Sequence, residues 1–168
     1  MIKLGIARWM METVRLNVKY AGSIAHRDES GKLIDMLIQY MYSAKDLKLK
    51  ISKDESIGEE MEFYCDARMG AKPHYGYLGR MNRKSSFIVA QSKAITQIVP
   101  LSPVDAESYA LCIVTQVIIY IHMIFKMLGK IIIKPTIIYC DNQTTVDMCY
   151  DVTKPNVSRY FVHRLDFI

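Results

Sequence analysis

Asp66, Glu107 and Asp141 are the residues of this 168-residue chain whose types and placement point most directly to chemistry. Asp66 closes an alternating run, Glu107 follows a helix-start signature, and Asp141 closes a strand-like run beyond that helix. Acids at strand ends and at a helix start can converge on one edge of a sheet, where three carboxylates repel one another unless a cation lies between them. Hard oxygen ligands with open positions suit Mg2+ or Mn2+, which keep waters and accept phosphate oxygens. Two such ions can activate a water and stabilise the leaving oxygen of a phosphodiester. Taken singly, each acid has the ordinary reading of a solvated surface residue or a cap, and Asp141-Asn142 also reads as a helix start.

The elements that must position these acids are legible in the hydrophobic pattern. From Glu60 to Asp66, Met61, Phe63 and Cys65 alternate with Glu62, Tyr64 and Asp66, which predicts a strand with two distinct faces. Further strands are predicted over Tyr75–Leu78, Phe87–Gln91 and Ile95–Leu101. Ser102-Pro103-Val104-Asp105 then opens a long helix. The serine can accept from a free backbone N–H, proline is tolerated at the first helical position, and Asp105 favours the positive end of the dipole. Gly129 is its expected stop. A strand over Thr136–Cys140, a short helix over Gln143–Tyr150 capped by Asn142, and a last strand over Ser158–His163 complete the pattern. Upstream, helices are predicted over Leu4–Tyr20 and Lys32–Ser43, the second with Leu33, Leu37, Tyr40 and Met41 on one face. Gly22 and the polar stretch His26–Gly31 connect them, and Lys50–Glu60 is the expected linker. Hairpin strands followed by a crossover helix imply an α/β fold with a mixed sheet and helices on its faces.

Composition sets the outer bounds. Residues of hydrophobic type make up 51% of the chain, enough for a sizeable core, which excludes a disordered tail. Lys and Arg number 22 against 17 Asp and Glu, a net charge of +5 that suits a polyanionic partner such as nucleic acid. Four cysteines, with no CxxC pair and no neighbouring histidine pair, argue against a structural zinc site and read as reduced and mostly buried. The charged, amphipathic N-terminus does not have the pattern of a signal peptide.

Three runs carry a resemblance. Tyr64-Cys65-Asp66-Ala67, the run from Leu101 to Leu111 (LSPVDAESYAL) and the run from Pro135 to Gln143 (PTIIYCDNQ) resemble, in order and spacing, the RNase H region of copia-type LTR retrotransposon polyproteins. That family has a YCDAD-like strand, an LSSTEAEYMAL-like helix start and a TIYCDNQSAI-like strand and turn. Lys32–Leu49 is also similar to the family's segment just before RNase H, so the resemblance covers most of the chain. It implies an RNase H-like mixed sheet of five strands over residues 58–168, truncated at its C-terminus, after a helical connection segment over residues 1–55 from the tail of a reverse-transcriptase-like region. It also implies Asp66, Glu107 and Asp141 as catalytic, metal-binding carboxylates for two Mg2+ or Mn2+ ions, with Asp166 as the nearest candidate for the family's fourth acid. The implied activity is cleavage of the RNA strand of an RNA–DNA hybrid, with a reverse transcriptase domain as a possible companion and a cytoplasmic or nuclear location.

The chain departs from the family's pattern in several places. Arg68 and Met69 stand where the family has a second Asp and a Trp, and Gly31 stands where it has a Trp. The run Lys72–Tyr77 is a shortened form of a DRKSTSGY-like stretch. Counted from Ser158-Arg159, the family's fourth acid falls on Arg164 rather than Asp166. A hybrid exposes 2′-hydroxyls on one strand only, which lets a protein choose the RNA strand. Arg80, Arg83, Lys84 and Lys93 are candidates to track phosphates, with an ordinary solvated hairpin face as the alternative. Asn142 and Gln143 are candidates for the hybrid backbone, with capping the simpler role for Asn142. Two other readings of the chain stay open. One is a nucleic-acid-binding or interaction module without catalysis. The other is a small membrane protein with a span near residues 109–128, because Tyr109–Phe125 has no Asp, Glu, Lys or Arg across 17 residues. Thr115, Gln116 and His122 interrupt that run and favour a core helix under a sheet.

Overall fold

The structure is a computed structural model and describes residues 19–25, 30–47 and 60–150. Most of the first predicted helix, the linker near residues 50–60, the last predicted strand, His163 and Asp166 lie outside these residues. The described elements are helices α1 (Lys19–Ala25) and α2 (Lys32–Ser43), strands β1 (Glu62–Arg68), β2 (His74–Arg80) and β3 (Phe87–Ala94), helix α3 (Pro103–Met127), strand β4 (Ile137–Cys140) and helix α4 (Gln143–Tyr150).

The strands form one mixed sheet in the order β3-β2-β1-β4. β1 pairs antiparallel with β2, and β2 with β3, while β4 joins the other side of β1 in parallel. α3 is therefore the crossover that carries the chain from one sheet edge to the other, as parallel pairing requires. The fold is α/β, with four strands among the described residues.

The alternation in β1 places Met61, Phe63 and Cys65 in the core beneath α3, where they meet Ala106, Tyr109, Ala110 and Val114. The reverse face of the sheet carries α1, whose Lys19 Nζ donates to Ala90 O at 2.6 Å and whose Ser23 Oγ lies 3.2 Å from Ser92 Oγ. Gly22, expected from the sequence to be part of a connection, lies inside α1. In α2 the buried face is Leu37 and Met41 with Ile34 and Ile38 packed beside them, whereas Leu33 and Tyr40 are exposed, so the apolar stripe is rotated from the predicted one.

The predicted strand Ile95–Leu101 is not formed. Its first N–H donates to Pro73 O, extending the β3 side of the hairpin by one link, and the chain then leaves the sheet. Ile95 is buried, but Val99 and Leu101 are exposed, so this apolar run is a loop leading to the helix cap. That cap forms as predicted. Ser102 Oγ accepts from Asp105 N at 3.1 Å, and Asp105 Oδ2 accepts from Leu101 N at 3.1 Å. At the far end Gly129 takes a φ of +74°, where a side chain would be strained.

α3 divides in two. Its N-terminal half is core, whereas Ile119, Tyr120, Met123, Ile124 and Met127 are exposed. It is long and apolar enough to cross a membrane by length and composition, a test that the core helix of a soluble protein also passes.

Close packing between strands makes Gly79 in β2 a sensitive position. A Cβ there would stand 2.6 Å from Phe63 Cζ and 2.7 Å from Val89 Cγ1. Gly79→Ala is expected to lower the urea midpoint by an amount worth about 1–3 kcal/mol, the usual cost of overpacking. An unchanged midpoint would mean that Phe63 can turn aside without loss.

Candidate metal centre at the β1–β4 edge

The register between β1 and β4 ends at Cys65 opposite Cys140. β1 runs on through Asp66 to Arg68 while β4 stops, so the next outward N–H of β1, that of Ala67, has no strand to donate to. Glu107, in the first turns of α3, takes it, with Oε1 accepting from Ala67 N at 2.8 Å. The chain leaves β1 on one side toward β2 and returns as β4 on the other, so this crevice lies at the carboxyl ends of two parallel strands where the strand order reverses. That is the usual location of ligand sites in open α/β sheets.

Glu107, Cys140 and Asp141 converge there. One donor atom from each lies within 4.8 Å of the other two, a group that could hold a metal ion. Cys140 Sγ donates to Glu107 Oε2 at 3.7 Å. Glu107 is only 4% exposed, Cys140 is half-buried and Asp141 is exposed, so the cluster opens outward through Asp141. Burial pushes the Glu107 carboxyl up to about 8. The Ala67 N–H opposes that rise, and the charges of Cys140, Asp66 and Asp141 add to it. At neutral pH without a cation this carboxyl therefore holds a proton.

Asp66 is exposed and lies outside this trio, though near enough for its charge to raise the Glu107 value. It lines a cavity of about 410 Å³ on the face of the sheet away from α3, together with Tyr64, Arg68, His74 and Ser92. The predicted acids Glu107 and Asp141 are thus brought together, with Asp66 beside them on the adjoining face. Cys140 is a site residue that the sequence pattern does not mark. The available signal was its position: both Asp66 and Asp141 directly follow a cysteine at a strand end.

Cys65 Sγ donates to Tyr139 O at 3.6 Å. The adjacent Cys140 thiol, with burial, raises the Cys65 thiol, whereas Cys65 lowers that of Cys140 against the opposing effect of burial. All four cysteines are free thiols, and Cys65 is the buried one.

The predicted nucleic-acid contacts fare differently. Arg80 Nη2 and Arg83 Nε bind Glu62 at 2.6 and 2.7 Å, and the Glu62 side chain is fully buried. Arg80 also donates to Tyr64 Oη at 2.8 Å, and Arg83 to Tyr139 Oη at 3.3 Å, while the Tyr64 and Tyr139 rings stack at 4.9 Å. These two arginines therefore direct charge at a buried carboxylate rather than at a solvated hairpin face. They also stand at the opposite end of β1, four residues or about 13 Å from Asp66. Lys84 and Lys93 are exposed. Asn142 Oδ1 accepts from Thr145 N at 3.1 Å, the cap of α4, and Gln143 Nε2 donates to Asp147 Oδ1 at 2.7 Å within that helix. His122 is a satisfied histidine, 2.9 Å from Thr136 Oγ1.

Comparison of the chain with family models, curated proteins and solved structures finds no match.

Proposed function

We propose that this chain is a metal-dependent endoribonuclease that cleaves the RNA strand of RNA–DNA hybrids, carried on an RNase H-like fold of retrotransposon origin. The observation that carries this reading is the convergence of Glu107 with Asp141 at the β1–β4 edge, with Asp66 at the end of β1 beside them. The sequence resemblance names the same three acids, and the α/β sheet with its crossover helix has the element order that the resemblance implies. The fifth strand would come from Ser158–His163, outside the described residues.

The donor set suits hard cations with open positions. Two Mg2+ or Mn2+ ions bound there would supply an activated water and a stabilised leaving oxygen. Asp66, Glu107 and Asp141 would hold them, with Asp166 as the candidate fourth ligand. Cys140, a soft donor, is the poorest match to Mg2+ and would stand beside the ions rather than bind them. Glu107 must give up its proton to act as a ligand, while the Ala67 N–H fixes its orientation. The groove lined by Asp66 and Arg68 offers a cation to the phosphates of a nucleic-acid strand.

The test is incubation of the full chain with end-labelled hybrid, duplex DNA and single-stranded RNA, with Mn2+ or with chelator. Cutting of the RNA strand of the hybrid alone, and only with metal, is the expected result. A folded protein that binds hybrid but leaves it intact in both Mg2+ and Mn2+ would favour the non-catalytic binding module.

A further inference from the structure

We infer that Cys65 and Cys140 are a reversible disulfide pair that can tie β1 to β4 at the rim of the carboxylate cluster. The two residues are Cα partners in the parallel register. Neighbouring strands lie about 4.8 Å apart, inside the range of roughly 4.4–6.8 Å that a disulfide spans between α-carbons. Register partners on paired strands project to the same face, and both sulfurs meet the core beneath α3. Cys65 Sγ donates across to Tyr139 O at 3.6 Å, the β4 carbonyl directly before Cys140. Cys140 is half-buried and open to a small oxidant, and Cys65 behind it is buried.

This division assigns the roles. With hydrogen peroxide as oxidant, the Cys140 sulfur attacks one peroxide oxygen. It becomes a sulfenic acid as the O–O bond breaks, and the other oxygen leaves as water. The Cys65 sulfur then displaces the hydroxyl from the Cys140 sulfur as a second water that carries off the Cys65 proton. Two thiols and one peroxide give one disulfide and two waters. The bond would also end donation from Cys140 Sγ to Glu107 Oε2 and would fix the residues directly before Asp66 and Asp141. Formation of the bond does not depend on the proposed nuclease activity.

The rival partner for Cys140 is Cys149 of α4, which packs near the same core edge. The experiment treats the reduced full chain with hydrogen peroxide, blocks remaining thiols, digests the protein and reads the peptides by mass spectrometry. The expected product joins the Cys65 peptide to the Cys140 peptide with loss of two hydrogens, is reversed by dithiothreitol, and persists in Cys149→Ser. Cys140 joined to Cys149, or a sulfinic acid on Cys140 with Cys65 left as a free thiol, would overturn the inference. Cys149→Ser leaves β1 and β4 untouched, so the test does not rely on a core variant.

Discussion

Glu62→Ala is expected to destabilise the folded chain by about 3 kcal/mol, near the lower end of the cost of breaking a buried ion pair. Glu62 is fully buried at the start of β1, and Arg80 and Arg83 together bind both of its oxygens. Burial alone would raise its carboxyl, but hydrogen bonds and charges from Arg83 and Arg80 outweigh that and hold it below its ordinary value. Removing the carboxylate leaves Arg80, with a side chain only 21% exposed, among Tyr64 and Phe87 without its counterion. Arg83, 70% exposed, can turn to water, so Arg83→Ala is expected to cost well under half as much as Glu62→Ala. Urea unfolding of the two variants separates them, and equal losses would show that the two arginines share the burden. The sign with pH follows from the lowered folded value. The Glu62 contribution is present above about pH 4.5, the unfolded value, and fades as pH falls through the lower folded one.

Glu107→Gln is expected to act in the opposite direction. The Glu107 carboxyl is raised when folded to about 8 from an unfolded value of 4.5, so folding binds a proton across that window. Stability from this group is full below about pH 4.5 and is lost as pH climbs to about 8, where the folded chain must hold a buried charge. A tenfold difference in proton affinity between folded and unfolded chain corresponds to about 1.4 kcal/mol. Glu107→Gln keeps the shape and an acceptor for Ala67 N and removes the charge. At pH 9 in chelator it should therefore unfold later than the parent, by an amount on the order of 2–4 kcal/mol. The same variant should lose Mn2+ binding, and parent affinity should rise between pH 6 and about 8 as the proton is displaced more easily. Thermal melts across pH, with and without Mn2+, read both effects. A variant less stable than its parent at alkaline pH would mean that Glu107 is ionised in the folded chain and better compensated than its surroundings indicate.

These two carboxylates also show what sequence could and could not reveal. Alternation in β1 correctly separated Met61, Phe63 and Cys65 from Glu62, Tyr64 and Asp66, because side-chain direction has a period of two. It could not show that Glu62 is buried, since that depends on Arg80 and Arg83, which arrive from another strand and its turn. The start of α3 was legible because Ser102, Pro103 and Asp105 act locally, each on backbone groups within four residues. Ile95–Leu101 misled because apolar residues there serve two purposes. Ile95 and Ile98 meet the core while Pro100 precedes the cap, and among the described residues no neighbouring strand accepts the run. Glu107 and Asp141 were legible as a pair through their places at a helix start and a strand end. Cys140 was not, because its role follows from where β4 stops relative to β1, which is a matter of register and not of pattern.

In the proposed function Asp66, Glu107 and Asp141 bind the metal that cuts RNA in a hybrid. Its most direct test is Mn2+-dependent hybrid cleavage by the full chain beside Asp66→Asn, with folding of both checked by circular dichroism. Asp66 is exposed, so the change should leave the fold and its melting temperature intact while reducing RNA-strand cleavage by at least about a thousandfold. Cleavage retained by Asp66→Asn at the parent rate would remove Asp66 from the site.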